Sequence, residues 1–203
     1  MTVDLKKSKS ILVTGGAGFI GNHLIRFLLK NTKAKIFNLD KFGYSSSLIA
    51  IEQYLGDLNI ESQKRYEFLN CNLVNEKDVN YAVEYAKPDF IFNLAAESHV
   101  DRSIDSPSNF IESNIIGTFN LLNKTLSYWE ELKAAKKDSF RLIHISTDEV
   151  FGSLSNYDPR FAERTPYNPS SPYSASKASS DHLVNAWFHT YGLPVITTNC
   201  SNN

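Results

Sequence analysis

A short apolar run, Ser10 to Thr14, leads straight into Gly15-Gly16-Ala17-Gly18-Phe19-Ile20-Gly21. No other stretch limits the fold as strongly. The run is bounded by polar residues and reads as a buried strand, and Ile20, Leu24, Phe27 and Leu28 then recur at helical spacing. In a strand–glycine turn–helix unit, one glycine permits the tight turn. A second lets backbone N–H groups approach a pyrophosphate, and a third lets the helix pack close to the strand. The helix amino terminus adds unpaired N–H donors and a partial positive charge. Gly15, Gly18 and Gly21 are therefore candidate dinucleotide contacts. The competing reading is a glycine-rich turn without a ligand.

Context favours the ligand. A second strand, Lys35 to Leu39, ends in Asp40, about twenty residues on, where an acid accepts hydrogen bonds from an adenosine ribose. A carboxylate there also repels a 2′-phosphate, which favours NAD over NADP. Tyr66 to Leu73 reads as a third strand, and Val79, Ala82, Val83 and Ala86 as one face of a helix ended by Pro88. Phe90 to Ala96 is a fourth strand, near-continuously apolar as a central parallel strand is. The small Ala95 and Ala96 at its end either let a cofactor lie against the backbone or pack tightly under a helix. Ser106-Pro107 starts a long helix to about Tyr128, with Phe110, Asn114, Gly117, Leu121 and Thr125 along one side. Asn114 is expected to be a structural hydrogen-bonder, and Gly117 to mark a close approach, since glycine costs about 1 kcal/mol in a helix. Strands alternating with helices make an α/β doubly wound parallel sheet, one dinucleotide-binding domain over residues 1–203.

A fifth strand, Leu142 to Ile145, ends abruptly in Ser146-Thr147-Asp148-Glu149. Ligands bind at the carboxyl ends of strands in open α/β sheets, so this end offers hydroxyls, a proton donor and a proton acceptor. The alternative is a solvated loop. A polar loop, Ser153 to Ser171, follows, and then Ser171-Pro172 starts a helix, serine as cap and proline at the first position. Tyr173 and Lys177 stand four apart on that helix, on one face. A neighbouring ammonium favours the phenolate, so such a Tyr can serve as a base near neutrality. Lys177 could also hold a cofactor ribose. Leu193 to Cys200 is a sixth strand, followed only by Ser201-Asn202-Asn203.

Other chemistries find little support. Net charge is −1 with no basic stripe, which argues against nucleic acid and anionic membranes. Cys71 and Cys200 form neither a metal spacing nor a disulfide framework, the five histidines include no HxxxH pair, and no metal site is expected. No window of eighteen apolar residues and no leader pattern is present, so the expected setting is reduced and cytoplasmic.

Together these elements resemble the extended short-chain dehydrogenase/reductase family. TGGAGFIG, NLAAESHVDRSI, FIESNIIGT, HISTDEVFG, SPYSASKASSDHLV and TTNCSNN are similar to its nucleotide-sugar 4,6-dehydratase branch, from about residue 10 to the end. Thr147-Asp148-Glu149 is the most specific item, because the related epimerases carry no such acid pair. The resemblance implies a lyase that converts dTDP-glucose to its 4-keto-6-deoxy product through transient oxidation by bound NAD. Tyr173 takes the proton from the carbon-4 hydroxyl, Glu149 takes the carbon-5 hydrogen, and Asp148 protonates the departing carbon-6 hydroxyl. Thr147 binds the sugar and Lys177 lowers the Tyr173 pKa. By position the NAD contacts fall on Phe19, Ile20, Asp40, Lys41, Phe42, Gly43, Asn72, Leu73, Leu94, Ala95, Ala96, Glu97, Ser98, Ser113, Tyr173, Lys177 and Asn203. The sugar contacts fall on Ser98, Thr147 and Asn202. Asn72 stands for a usual Asp, and Ser113 for a usual Thr. The resemblance also implies a homodimer in full-length form and a carboxyl-terminal substrate domain that this chain lacks. An epimerase or decarboxylase of the same superfamily, or an inactive NAD-binding fragment, are the alternatives.

Overall fold

The structure, a computed structural model, describes residues 5–201. In chain order its main elements are β1 (Ser10–Thr14), α1 (Phe19–Asn31), β2 (Lys35–Asp40), α2 (Ile49–Gly56), α3 (Ile60–Gln63), β3 (Tyr66–Asn70), α4 (Glu76–Ala86) and β4 (Phe90–Asn93). Then come α5 (Val100–Asp105), α6 (Pro107–Phe110), a π-helical stretch (Ile111–Ile116), α7 (Gly117–Glu130), α8 (Ala134–Ser139), β5 (Arg141–Thr147), a 3₁₀ turn (Asp148–Phe151), α9 (Pro172–Tyr191) and β6 (Val195–Cys200). All six strands pair in parallel in the order β3-β2-β1-β4-β5-β6. The order reverses between β1 and β4, and a crevice opens there at the carboxyl ends of the strands. This is the doubly wound α/β fold read from the sequence.

Each central strand feeds both faces, as side chains alternate across the sheet. Leu12, Ile91 and Leu142 point toward Val79, Leu121 and Val184 on α4, α7 and α9. Ile11, Val13 and Ile143 belong to the opposite layer, with Ile25, Leu28 and Leu29 of α1 and Ile51 of α2. Burial on both sides is why these strands read as continuous apolar runs.

Where elements differ from expectation, local chemistry explains it. β3 stops at Asn70, three residues early, because the Asn72 carboxamide accepts the Val74 N–H (3.1 Å) and Asp78 accepts the Asn72 N–H (2.8 Å), an Asx turn that competes with the ladder. β4 ends at Asn93, where its neighbour β1 turns into the glycine loop. The Ala95 N–H bonds the Thr14 hydroxyl (3.2 Å) instead of a strand carbonyl. β5 continues to Thr147 because β6 pairs with it that far, Thr147 opposite Cys200. The long helix after Ser106 is three pieces, with the π stretch carrying Ser113 and Asn114. Its inward residues are as read: Phe110, Asn114, Gly117, Leu121 and Thr125 are all buried.

On α1 the inward face is Gly21, Ile25, Leu28 and Leu29, whereas Ile20 and Phe27 are exposed, Phe27 by 60%. Only a glycine can approach the turn closely, so Gly21 sets which side faces in. Helices α2, α3, α5 and α8, four to eight residues each, have too few turns to show a periodic pattern. Among the described residues no helix is long and apolar enough to cross a membrane.

Candidate active site

The crevice is a cavity of about 430 Å³ lined by the glycine turn and by the carboxyl ends of β1, β2, β4, β5 and β6. Gly15 adopts φ +71, and a Cβ there would lie 2.6 Å from the Ala95 backbone nitrogen. A Cβ on Gly21 would overlap the Gly15 carbonyl oxygen, whereas one on Gly18 would meet that oxygen at 3.3 Å. Gly16, which the sequence reading passed over, is equally constrained: its Cβ would overlap the Asn38 carboxamide. Gly15→Ala is expected to cost about 3 kcal/mol, the sum of a left-handed backbone and a backbone overlap. Gly18→Ala should cost less than about 1 kcal/mol, as a displacement of a few tenths of an ångström suffices. Denaturant unfolding of the two variants checks the contrast.

Gly18 caps α1 without a side-chain bond, and the first turn holds no acid, so its N–H donors have no side-chain partner from the cap. Asp40, 7% exposed, ties the next loop to this turn. Its Oδ1 accepts from the Phe42 N–H (2.8 Å) and the Ser46 hydroxyl (2.9 Å), and its Oδ2 from the Ala17 N–H (3.1 Å). Phe42 consequently sits at φ 54 with its ring turned out against Phe68. Lys41 pairs with Glu97 (2.7 Å) between the β2 and β4 loops. Asn114 pins the β4 loop from below: it accepts the Glu97 N–H (2.8 Å) and donates to the Glu97 carbonyl (2.9 Å) and the Ser176 hydroxyl (2.8 Å). The structural part read for it is what it plays.

At the other end, Thr147, Glu149, Tyr173 and Lys177 all line the cavity. α9 presents the last two because Ser171 caps it: the Ser171 hydroxyl accepts the Ser174 N–H (3.0 Å), and the Ser174 hydroxyl accepts the Ser171 N–H (2.9 Å). Thr147 closes the 3₁₀ turn by accepting the Glu149 N–H (3.2 Å) and lies 3.4 Å from a carboxylate oxygen of Asp148. Burial, and then the like charge of Asp148, raise the Glu149 pKa above the usual carboxylate range. Tyr173 is pushed up to about 12 by burial first and the Glu149 charge second, against a hydrogen bond with Thr147. Lys177, 5% exposed, donates to the Ile145 carbonyl (2.8 Å) and is pushed down to about 8 by burial, against the charge of Asp181.

The expected lowering of Tyr173 by Lys177 is not borne out: Lys177 is not among the groups that shift Tyr173, whose pKa burial raises. The ammonium is turned onto Ile145, and the charges bearing on the phenol are the carboxylates of Glu149, Asp181 and Asp148.

Of the positions read as site residues, Gly15, Gly18, Phe19, Ile20, Gly21, Asp40, Lys41, Gly43, Asn72, Leu73, Leu94, Ala95, Ala96, Glu97, Ser98 and Ser113 also line this cavity. Phe42 and Asp148 do not, and Asn202 and Asn203 lie outside the described residues. The sequence reading missed Tyr44, Ser45 and Ser46, whose only signal was their position just past Asp40, and Cys71, Cys200 and Ser201 at two further strand ends. It also missed the polar partners beneath the site, His144 and Asp181. Asp181 follows Lys177 by one helical turn, and that spacing could have flagged it. Among the described residues no group of three or more His, Cys, Asp or Glu is placed to hold a metal.

A family model described as GDP-mannose 4,6 dehydratase matches residues 12–203. The chain is 48% identical over 195 residues to a dTDP-glucose 4,6-dehydratase of Neisseria meningitidis serogroup B, covering 96% of this chain and 53% of that protein. To the enzyme of the same description from Haemophilus influenzae it is 49% identical over 194 residues, 96% and 56%. A crystal structure of dTDP-glucose 4,6-dehydratase from Bacillus anthracis in complex with NAD superposes with TM-score 0.79 at 38% identity, covering 96% of this chain and 55% of that one. A Thermus thermophilus UDP-glucose 4-epimerase complexed with NAD gives 0.76 at 27%, covering 93% and 54%. The chain spans about half the length of the curated relatives it matches.

Proposed function

From the premise that the chain belongs to the GDP-mannose 4,6-dehydratase family, we propose that it forms the cofactor-binding half of a dTDP-glucose 4,6-dehydratase that uses NAD. One observation carries the reading: the Glu149 carboxylate, the Tyr173 phenol and Lys177 line one end of a crevice whose other end has the features of a dinucleotide site. Asp40 bears on NAD over NADP, because its buried carboxylate would repel a 2′-phosphate.

The residues fit the cofactor. Side chains are barred at Gly15 and Gly21, where a pyrophosphate needs backbone approach, and the first turn of α1 offers it N–H donors. Asp40 Oδ2 has one donor and therefore acceptor capacity left for a ribose hydroxyl. The small side chains of Ala95 and Ala96 leave room along the β4 end. NAD held there would supply the hydride acceptor for oxidation at sugar carbon 4 and, once reduced, the hydride for carbon 6.

Tyr173 receives the carbon-4 hydroxyl proton, and the Thr147 hydroxyl holds the sugar beside it. Glu149 removes the carbon-5 proton once carbon 4 is a ketone, and Asp148 protonates the departing carbon-6 hydroxyl. Burial and the Asp148 charge already place Glu149 above the usual carboxylate range, closer to neutral pH for a base. Glu149 and Tyr173 are coupled: a proton taken up by Glu149 removes the charge that raises the phenol and eases its ionisation. Asp148 stands off the cavity lining, and a rotation toward the sugar has to bring it into play. Exposed apolar side chains on α7 and α9, including Phe119, Phe188 and Tyr191, fit a homodimer interface.

The test is incubation of the full-length protein with NAD and dTDP-glucose, with UDP-glucose in parallel, following loss of one water by mass spectrometry. Water loss from the dTDP sugar is expected. A protein that binds NAD yet leaves both sugars intact, or inverts carbon 4, would overturn the reading.

A further inference from the structure

The base of the site holds a buried carboxylate whose hydrogen-bond partners among the described residues are all neutral. Asp181, 3% exposed, accepts from the Ser146 hydroxyl (2.7 Å), the Tyr167 hydroxyl (3.0 Å) and His144 Nε2 (3.1 Å). All three donors are neutral. Burial and the nearby Lys177 charge push His144 down to about 4, so its bond to Asp181 is an imidazole N–H to a carboxylate and not an ion pair. Tyr167 is held well above its ordinary value by burial and by Asp181 itself, and stays an O–H donor.

The tautomer that this requires is fixed from across the sheet. The Ala95 N–H donates to the Thr14 hydroxyl (3.2 Å), and that hydroxyl donates to the Asn93 carboxamide oxygen (2.6 Å). The Asn93 amide donates to His144 Nδ1 (3.1 Å), leaving the proton on Nε2 for Asp181. The donors all run one way, from the cavity wall at β4 to a carboxylate on α9.

We propose that Asp181 is the buried counter-charge that keeps Lys177 an ammonium at the cavity wall, with His144 as the residue that orients it. Four residues separate the two on α9, which puts Asp181 one turn below Lys177 on the same face. Among the described residues the Lys177 ammonium donates to a neutral carbonyl, Ile145, which cannot offset the loss of water around an ammonium. A fixed negative charge one turn away, at a side chain as buried as Lys177 itself, does so through space. The other titratable groups around this core are Tyr173 on α9, His144 on β5, Cys200 on β6, Tyr167 from the loop, and Asp148 and Glu149 in the 3₁₀ turn. Among the described residues the Lys177 charge is opposed by burial and supported first by Asp181 and then by Cys200.

Selective ¹³Cε-lysine labelling of the full-length protein follows the Lys177 titration by NMR. The midpoint is expected near 8 in the native protein and lower by about one pH unit or more in Asp181→Asn. Asp181→Ser removes the same charge with a smaller acceptor and gives a second folded test. Asp181→Glu is expected to restore the native midpoint. A neutral variant that folds, loses thermal stability and leaves the midpoint in place would make Asp181 a structural residue and overturn the proposal. The functional side rests on the reading of Lys177 as an ammonium that holds the cofactor ribose at the cavity wall. On that reading the alkaline limb of kcat moves to lower pH in Asp181→Asn, with KM for the sugar unchanged. A shifted NMR midpoint with an unshifted rate profile would count against that reading of Lys177 alone.

Discussion

Tyr173→Phe is expected to lower the turnover of dTDP-glucose by about 10³-fold, while NAD binding and the unfolding temperature stay close to native. The size follows from losing proton transfer at the step that begins the reaction, which positioned acid–base groups accelerate by roughly 10²- to 10⁴-fold. The phenol is 8% exposed and its ring stacks edge-on against Phe110, centroids 6.3 Å apart, and phenylalanine keeps both. The hydroxyl is buried beside Thr147, so a small stability change, within about 1 kcal/mol, accompanies the substitution. Steady-state kinetics beside thermal unfolding separates the two effects. Near-native turnover would show that the carbon-4 proton leaves by another route.

Glu149→Gln is expected to divide the reaction at its middle. On the proposed mechanism oxidation at carbon 4 uses Tyr173 and continues, whereas removal of the carbon-5 hydrogen loses its base and slows by about 10²-fold or more. Two measurements read this: exchange of the carbon-5 hydrogen with solvent deuterium falls in parallel with water loss, and the oxidised sugar builds up. Gln also removes the charge that raises Tyr173, so phenol ionisation shifts to lower pH and the first step is not impaired. The sign for the neighbouring acid is fixed the same way. Asp148 contributes to the raised Glu149 pKa, so Asp148→Asn moves the acid limb of activity to lower pH even as it slows departure of the hydroxyl. An epimerase would be indifferent to both substitutions.

Much of this site could be read from local residue order. The glycine turn, Asp40 at the end of β2 and the Ser171-Pro172 start of α9 are short-range signals, because a tight turn, a strand end and a cap are each decided within a few residues. Tyr173 and Lys177 share a face for the same reason. What escaped is what depends on the third dimension. Hydrophobic spacing placed Phe27 inward, yet Gly21 decides which side of α1 can approach the turn. The expectation that Lys177 would ease Tyr173 took four-residue spacing for electrostatic contact, whereas the ammonium turns to the Ile145 carbonyl. His144 stands in an apolar run, and only the pairing of β4 with β5 brings Asn93 beside it. Buried polar partners are chosen across strands, and no local pattern reports that choice.

The π stretch at Ile111–Ile116 acts as a phase slip. An α-helix advances about 100° per residue, so an unbroken helix from Pro107 to Glu130 would couple the direction of Asn114 rigidly to that of Leu121 and Leu122. One wider turn between them lets each half keep its own orientation: Asn114 meets the Glu97 backbone and Ser176, while Gly117 presses against Leu73 and Leu121 enters the core. Deleting a single residue from the stretch would remove the slip and set one half or the other to face the wrong way.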